Sequence, residues 1–290
     1  MMAALLSFAF FALLLCHECL AQLMEEICEG HADFGPKIVN GTNARPFDTA
    51  WMASLYNISH NNNEFICGGS LIHKRFVLTA AHCSLRQEKL LVRMGESDRS
   101  CPAWKCRGLK EYDVIEAIPH PQFNISGRFE NDIGLLKLQT EVTFNEHIRP
   151  ICFILDEAVH AERIHRFRAF GWGATLQNVH SSKLQTIKLT RKNSKNCLKN
   201  YNIPDANDQQ ICAGNDFGDT CIGDSGGPLA SDFIYRGKTS FVLFGIVSYG
   251  GWFCNITAAV YTNAMSYKDW VADNVAPYDI RIAEIVNSRN

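Results

Sequence analysis

The chain has 290 residues, of which 47% are hydrophobic, so it is long enough to bury one large core or two fused half-cores. Its 28 basic and 30 acidic residues leave a formal net charge of −2 at pH 7. This balance gives no electrostatic argument for binding nucleic acid or an anionic membrane, and we expect neither as a partner.

The N-terminus carries a candidate leader. Residues 5–15 form an apolar run that is too short to span a bilayer comfortably, and Cys-Leu-Ala at 19–21 offers a small-residue cleavage site. We predict that residues 1–21 are a signal peptide and that the protein is secreted to the extracellular space. No Lys or Arg precedes the run, which leaves an uncleaved signal anchor as the alternative.

Short apolar runs separated by turn residues follow the leader, and several alternate polar with apolar residues as half-buried antiparallel strands do. Examples are residues 70–72, 135–138, 184–189 and 241–247. Helical periodicity appears only near the end, where the apolar residues of 267–275 share one face and Ser266 with Asp269 forms a capping-box pattern. The chain is therefore predicted to be all-β with one C-terminal helix.

Ser225 is the strongest candidate nucleophile, because it lies in Gly-Asp-Ser-Gly-Gly-Pro at 223–228. Flanking glycines let the backbone turn sharply and bring amide N–H groups close to a substrate carbonyl. All ten histidines precede Ser225, which excludes the Ser–acid–His order of the α/β-hydrolases. The orders His–Asp–Ser and Asp–His–Ser remain.

Local context suggests the partners of this serine. His82 follows an apolar run in Thr-Ala-Ala-His-Cys, where small neighbours leave room for the imidazole to face a cleft. Asp132 leads into the apolar run 133–138 from Asn-Asp-Ile. Each residue alone is weak evidence, whereas the three contexts together favour a His82–Asp132–Ser225 set.

These three motifs, at 79–83, 131–133 and 223–228, resemble the signatures of the chymotrypsin-like (trypsin-like) serine proteases. The resemblance covers roughly residues 38–276 and implies two six-stranded antiparallel β-barrels with the active site in the cleft between them. It also implies Ser225 as nucleophile, His82 as general base and then acid, and Asp132 as the residue that orients His82. The N–H groups of Gly223 and Ser225 would form the oxyanion hole.

The resemblance further implies a zymogen. Lys37-Ile38 looks like the activation junction of the family, and the freed Ile38 ammonium would pair with the Asp224 carboxylate. Residues 22–37 would then be a propeptide, 38–276 the protease domain and 277–290 a flexible tail. An activating protease and serpin-like inhibitors are expected partners, beside protein substrates.

Substrate preference would depend on a pocket whose base is Asp219, which favours Arg or Lys by charge pairing. Ser248 and Gly250 would bind the substrate backbone and keep the pocket wall open. Ala259 stands where the family commonly has glycine, and its methyl group would narrow the pocket.

Twelve cysteines indicate secretion, and two of them would leave with the signal peptide. Spacing alone does not assign the connectivity of the other ten. The resemblance implies three bridges in the catalytic domain and one that tethers the propeptide, and the two cysteines left over are close enough to close a small loop. These pairs are Cys67–Cys83, Cys197–Cys212, Cys221–Cys254, the tether Cys28–Cys152, and the loop Cys101–Cys106.

Three sequons, at Asn57, Asn124 and Asn255, are candidate glycosylation sites, whereas a glycan on Asn40 would obstruct the activation junction. Glu96 and Glu111 flank the small cysteine loop roughly where some family members bind calcium, but the ligand pattern does not align. We expect no metal or other cofactor, and a monomer. The competing hypothesis is a catalytically weak, protease-like binding or regulatory protein.

Overall fold

The computed structural model describes the two barrels with short gaps. It covers Cys28 and residues 42–43, 49–59, 63–85, 89–102, 105–106, 108–124, 129–174, 181–199, 201, 208–215, 220, 223–250 and 258–278. The predicted signal peptide, the activation residues Lys37 and Ile38, and residues 279–290 of the predicted tail lie outside this set.

The first barrel is built from six antiparallel strands with largely buried apolar residues. Its closed order is β2-β3-β4-β7-β6-β5. The strands are β2 (Met52–Asn57), β3 (Glu64–His73), β4 (Phe76–Thr79), β5 (Leu90–Met94), β6 (Lys110–Pro119) and β7 (Gly134–Leu138). The predicted runs 70–72 and 135–138 fall inside β3 and β7.

The second barrel also has six antiparallel strands, in the order β9-β10-β13-β12-β11-β8, and pairing of β8 with β9 closes the ring. A two-residue strand, β1 (Thr42–Asn43), adds to β9. The strands of the ring are β8 (Arg166–Gly171), β9 (Gln185–Arg191), β10 (Gln210–Gly214), β11 (Pro228–Tyr235), β12 (Lys238–Tyr249) and β13 (Ala259–Asn263). This architecture confirms the predicted all-β fold of two six-stranded barrels.

Contacts between buried side chains join the interiors of the two barrels into one continuous apolar core. Trp51, just before β2, packs its ring against Phe170 of β8 and Phe241 of β12, with centroids 6.1 Å and 5.3 Å away. Aromatic side chains bury a large area each, so these contacts hold the barrels together from the inside. The cleft for a site therefore lies between two bodies with a common core.

Helices are few and short in the described residues: α1 (Ala81–Ser84), α2 (Ser194–Lys199) and α3 (Lys268–Val275). None of them has the length and apolar character that a membrane crossing requires. The predicted C-terminal helix is confirmed as α3, with Tyr267, Val271 and Val275 buried. A 3₁₀ turn, Ala276–Tyr278, continues two residues into the predicted tail, and the Tyr278 ring packs on Phe76.

The predicted capping box of this helix is wrong. A 3₁₀ turn, Ala264–Tyr267, precedes α3, so the residue at the helix N-cap is Tyr267, which makes no side-chain capping bond. Ser266 instead donates from Oγ to the backbone carbonyl of Asp208, 2.9 Å away. The cap belongs to the 3₁₀ turn, where the Asn263 side chain accepts from the Met265 N–H.

Candidate active site

The fold brings His82, Asp132 and Ser225 to the cleft from three different segments. His82 lies in α1 directly after β4, and Asp132 precedes β7, so both belong to the first barrel. Ser225 precedes β11 of the second barrel. The Gly68 N–H of β3 donates to the Ser225 carbonyl at 2.8 Å, which ties the serine turn to the first barrel.

Asp132 is fully buried, and hydrogen bonds satisfy its carboxylate. Its Oδ1 accepts from the His82 backbone N–H at 3.0 Å, and its Oδ2 accepts from His82 Nδ1 at 2.8 Å. Ser248 Oγ donates to the same Oδ2 at 2.5 Å, and Thr262 Oγ1 donates to the Asp132 carbonyl at 2.8 Å. Such bonds are needed because a buried charge without partners is very costly.

This arrangement determines the tautomer of His82. A carboxylate can only accept, so the ring proton is on Nδ1, and Nε2 keeps a lone pair that can take a proton. Among the described residues, no hydrogen bond joins His82 Nε2 to Ser225 Oγ. Bonds between a nucleophile and its base are often long until substrate binds, so the geometry suits a general base.

One cluster near His82 has spacing that could suit a metal. Sγ of Cys67, a ring nitrogen of His82 and Sγ of Cys83 all lie within 4.8 Å of one another. The two cysteines, however, form a disulfide with each other. Oxidised sulfurs offer no thiolate, so this donor set does not fit zinc.

The turn around Ser225 requires its glycines. Gly226 has φ of +78°, in the left-handed region, and a Cβ there would lie 2.2 Å from Thr79 Oγ1. Gly223 also has positive φ, at +97°. The Gly226 N–H donates to the Val247 carbonyl of β12 at 2.8 Å. The glycines therefore let the serine turn lie tightly against both barrels.

Asp224 points away from Ser225 towards the end of β8. Its Oδ1 accepts from the Gly173 N–H at 2.7 Å, and a Cβ on Gly171 would lie only 2.0 Å from that oxygen. The carboxylate thus occupies space that glycines at 171 and 173 leave open. Ile38, its predicted partner, is outside the described residues.

Part of the predicted substrate pocket is described. Ala259 is the first residue of β13 and is buried, and a Cβ built on Gly250 would lie 3.4 Å from the Ala259 Cβ. Thr220, which sequence reasoning missed, is also buried and shares a 2.9 Å hydrogen bond between its Oγ1 and the Tyr261 hydroxyl. Asp219 lies outside the described residues. The Ser248 side chain is used in the hydrogen bond to Asp132.

An aromatic wall beside the cleft was also missed. The Phe129 ring lies edge-on to His82, with centroids 6.3 Å apart, and contacts the Tyr249 ring at 5.4 Å. The Tyr201 ring also contacts the Tyr249 ring, with centroids 5.3 Å apart. Burial raises the pKa of Tyr249. The signal was available, since Phe129 and Tyr249 are close in sequence to Asp132 and Ser248.

The described residues contain four of the five expected disulfides. They are Cys28–Cys152, Cys67–Cys83, Cys101–Cys106 and Cys197–Cys212. Cys221 and Cys254 lie outside the described residues. Cys28 is further held by Ser240, whose Oγ donates to its carbonyl at 2.7 Å.

Glu96 and Glu111, the carboxylates weighed for calcium, are joined by an arginine. Arg93 Nε lies 2.8 Å from Glu111 Oε1, and another guanidinium nitrogen lies 3.6 Å from Glu96 Oε1. Glu96 also accepts from the Tyr56 hydroxyl at 2.9 Å, and burial together with this carboxylate raises the pKa of Tyr56 to about 12. A guanidinium between the two carboxylates does not fit a calcium ion at this position.

Two of the predicted glycosylation sites are described, and both are half-buried. Asn57 Oδ1 accepts from the Ser59 N–H at 2.9 Å, and Asn124 Oδ1 accepts from the Phe129 N–H at 2.8 Å. Both bonds use the side-chain oxygen, whereas a glycan attaches to the amide nitrogen. Asn255 lies outside the described residues.

Comparison with known proteins identifies the family. The family model described as Trypsin matches residues 38–271. The chain is 34% identical over 270 residues to melanization protease 1 of Drosophila melanogaster, covering 84% of this chain and 66% of that protein. It is 36% identical over 241 residues to CLIP domain-containing serine protease B15 of Anopheles gambiae, covering 76% and 65%.

A third relative, phenoloxidase-activating factor 1 of Holotrichia diomphalia, is 33% identical over 283 residues, covering 88% of this chain and 74% of that protein. The chain thus spans slightly less than two thirds of the first two relatives. The family match covers both barrels and every motif around the cleft. The chain therefore belongs to the trypsin family of serine-type endopeptidases.

Proposed function

We propose that this protein is a secreted serine endopeptidase that is made as a zymogen and cleaves peptide bonds after Arg or Lys. The observation that carries the catalytic part is the buried Asp132 carboxylate, whose bond to His82 Nδ1 leaves Nε2 as a base on the side of the cleft. Ser225 comes to the same cleft on a turn tied to both barrels.

In this reaction, Ser225 Oγ attacks the scissile carbonyl while His82 Nε2 takes the proton of the serine hydroxyl. The imidazolium that forms is stabilised by Asp132 and then gives the proton to the leaving amine, and water releases the acyl group by the reverse sequence. The N–H groups of Gly223 and Ser225 stabilise the oxyanion. Loss of one such donor typically costs about 100–1,000-fold in kcat, or about 3–4 kcal/mol.

Activation follows cleavage after Lys37. The new ammonium of Ile38 pairs with Asp224, whose carboxylate already accepts from Gly173, and this pairing orders the segment that carries Gly223. This pairing is favoured because an opposite charge offsets the cost of keeping the partly buried Asp224 carboxylate away from water. Residues 22–37 stay attached to the protease domain, residues 38–276, through Cys28 and its disulfide to Cys152.

Specificity for basic residues rests on Asp219 at the base of the pocket. A carboxylate there pairs with a guanidinium or ammonium of the substrate. A Cβ on Gly250 would lie 3.4 Å from the Ala259 Cβ, which supports a pocket wall that glycine at 250 keeps open and the Ala259 methyl group narrows. The substrate backbone pairs with the residues from Ser248 to Gly250 as an added strand.

The setting is extracellular. Residues 1–21 direct secretion, the sequons at Asn57, Asn124 and Asn255 carry glycans, and residues 277–290 end the chain as a tail. Relatives named for melanization and for phenoloxidase activation support a role in a proteolytic cascade. The partners are protein substrates, an activating protease and serpin-like inhibitors, and the enzyme acts as a monomer.

The test uses the full chain secreted from eukaryotic cells, cleaved after Lys37 and treated with a fluorophosphonate probe. We expect a Ser225 adduct only after cleavage, none in Ser225→Ala, and a new N-terminus at Ile38. A non-reducing gel should keep the two chains together, and a reducing gel should separate them. An unlabelled Ser225 in cleaved, folded protein would instead favour the protease-like binding protein, and faster cleavage after Phe or Leu than after Arg or Lys would refute the basic specificity.

A further inference from the structure

A second concave site lies on the outer side of the second barrel. It is a half-open cavity of about 480 Å³ between β8, β9 and β11. Among the described residues, its lining includes four basic residues, Arg166, Arg168, Lys188 and Lys192, and one acidic residue, Asp232. None of the lining residues belongs to the candidate active site, so the cavity is independent of the proposed peptidase chemistry.

The strand register explains why the cations meet on one face. Residues Arg168 of β8 and Lys188 of β9 are directly paired, and Arg166 is paired with Thr190. Side chains at alternate positions point to the same face, so Arg166 joins Arg168 on the outer face while Phe167 is 2% exposed in the core. The cluster is therefore dictated by the pairing of two strands.

The charges in this cavity are unbalanced. Arg168 is paired with Asp232 at 2.8 Å, and its side chain is only 9% exposed. Its guanidinium also lies over the Phe241 ring, 4.6 Å from the centroid, which holds it rigidly. Within the described part of the chain, the side chains of Arg166 and Lys188 form no ion pair.

This excess of positive charge has a physical cost in the protein alone. Like charges directly opposite on neighbouring strands repel each other, as Arg168 and Lys188 do here. A concave wall also concentrates their field, which raises the local concentration of anions. The formal net charge of −2 for the whole chain hides this local excess.

We propose that this cavity binds a compact polyanion that carries several sulfate or phosphate groups. Arg168 forms the fixed, buried end of the site, and the exposed Arg166 of β8 and Lys188 of β9 bind the ligand from two neighbouring strands. The volume of about 480 Å³ is in the range of small-molecule sites and suits a sulfated disaccharide or an inositol polyphosphate. Arginine forks match the oxygens of either group.

Calorimetric titration of the full secreted chain tests the site with two probes, a trisulfated disaccharide and inositol hexakisphosphate, in 50 and 200 mM NaCl. We expect one probe molecule per chain and weaker binding at the higher salt. The reason is that pairing of the protein cations with the anionic probe releases counterions, which is less favourable when the salt concentration is high. The Arg166→Ser/Lys188→Ser variant should bind at least about tenfold more weakly. Because inositol hexakisphosphate carries more charge, the affinities of the two probes are compared per charged group, and the higher value tells sulfate from phosphate as the natural group.

The matched control is Lys105→Ser/Lys110→Ser, which removes two exposed cations from the first barrel and should leave affinity within about twofold. Thermal melts show that each variant is folded. Three results would overturn the proposal. They are no binding of either probe to the wild type, an affinity of Arg166→Ser/Lys188→Ser equal to that of the wild type, or a loss of affinity in the control variant equal to that in Arg166→Ser/Lys188→Ser. Tighter binding of a hexaglutamate peptide than of both probes would also overturn it, since the face would then be a docking surface for an acidic protein.

Discussion

Replacing Ala259 by glycine probes the proposed specificity pocket most directly. Ala259 is buried at the start of β13, and its Cβ would lie only 3.4 Å from a Cβ placed on Gly250. The two residues are therefore neighbours, and the Ala259 methyl group would narrow the proposed pocket. We expect Ala259→Gly to widen the pocket and to raise kcat/KM for substrates cleaved after Arg.

The magnitude follows from the size of the group removed. One methyl or methylene in a specificity pocket changes transition-state binding by about 1–3 kcal/mol, or about 10–200-fold. We expect the lower end, about tenfold for Arg, because Gly250 already leaves the opposite side open. Lys should gain less, since its ammonium is narrower than a planar guanidinium. Glycine within a strand should lower the free energy of unfolding by about 0.5–1 kcal/mol.

The assay compares three peptide substrates that differ only in Arg, Lys or Phe before the scissile bond, with each enzyme cleaved after Lys37 and counted by active-site titration. Ala53→Gly is the matched control, because Ala53 is a buried residue within β2 of the other barrel. It should show the same loss of stability with unchanged kcat/KM. An Ala259→Gly enzyme that is folded but gains nothing on Arg, or gains most on Phe, would show that the reasoning about this wall is wrong.

Three further substitutions test the surroundings of the cleft. Ser248→Ala should lower the free energy of unfolding by about 1.5–3 kcal/mol and lower kcat/KM about tenfold, because the hydroxyl donates to the charged Asp132. The control Ser240→Ala, on the same strand, should lower the free energy of unfolding by only about 1 kcal/mol and leave kcat/KM unchanged, because its acceptor is an uncharged carbonyl. Equal effects of the two variants in urea unfolding and in kinetics would contradict this. Burial lowers the pKa of His120, so the folded state favours the neutral ring. The stability that neutral His120 contributes above about pH 6.5, the ordinary pKa of histidine, is lost as the pH falls through the pKa of the folded state. Wild type should therefore lose more stability than His120→Gln between pH 7.5 and 5, and equal losses in urea unfolding would refute this. Phe129→Ala removes a ring beside His82. It should increase the ratio of kcat/KM for peptides with a bulky residue next to the basic one to kcat/KM for peptides with glycine there, and an unchanged ratio would exclude Phe129 from substrate selection.

Most of the fold could be predicted from local patterns. The runs 135–138 and 241–247 became parts of β7 and β12, because alternation and apolar content are properties of a few neighbouring residues. The capping box failed for the opposite reason. Ser266 found a tertiary acceptor in Asp208, and this contact outweighed the local preference for a cap.

The support of the candidate site could not be predicted in the same way. Ser248 and Thr262 are 116 and 130 residues from Asp132 in the chain, and only closure of the second barrel brings them to it. A serine or threonine in a strand carries no local sign of such a partner. The aromatic wall could be predicted only in part. Phe129 and Tyr249 lie near motif residues in the sequence, but their contact depends on how the two barrels meet.

Two kinds of contact therefore hold the barrels at the cleft, and they act differently. The packing of Trp51 on Phe170 and Phe241 is apolar and tolerates small shifts, so it supplies free energy without defining an exact position. The bonds to Asp132 are directional, and those from Ser248 and Thr262 come from the opposite barrel. In the proposed mechanism the base and the nucleophile come from different barrels and must be held to within about 0.5 Å, so the directional bonds are the ones that can place them. Asp132 thus binds His82 through its carboxylate, and it binds the second barrel through both its carboxylate and its backbone carbonyl.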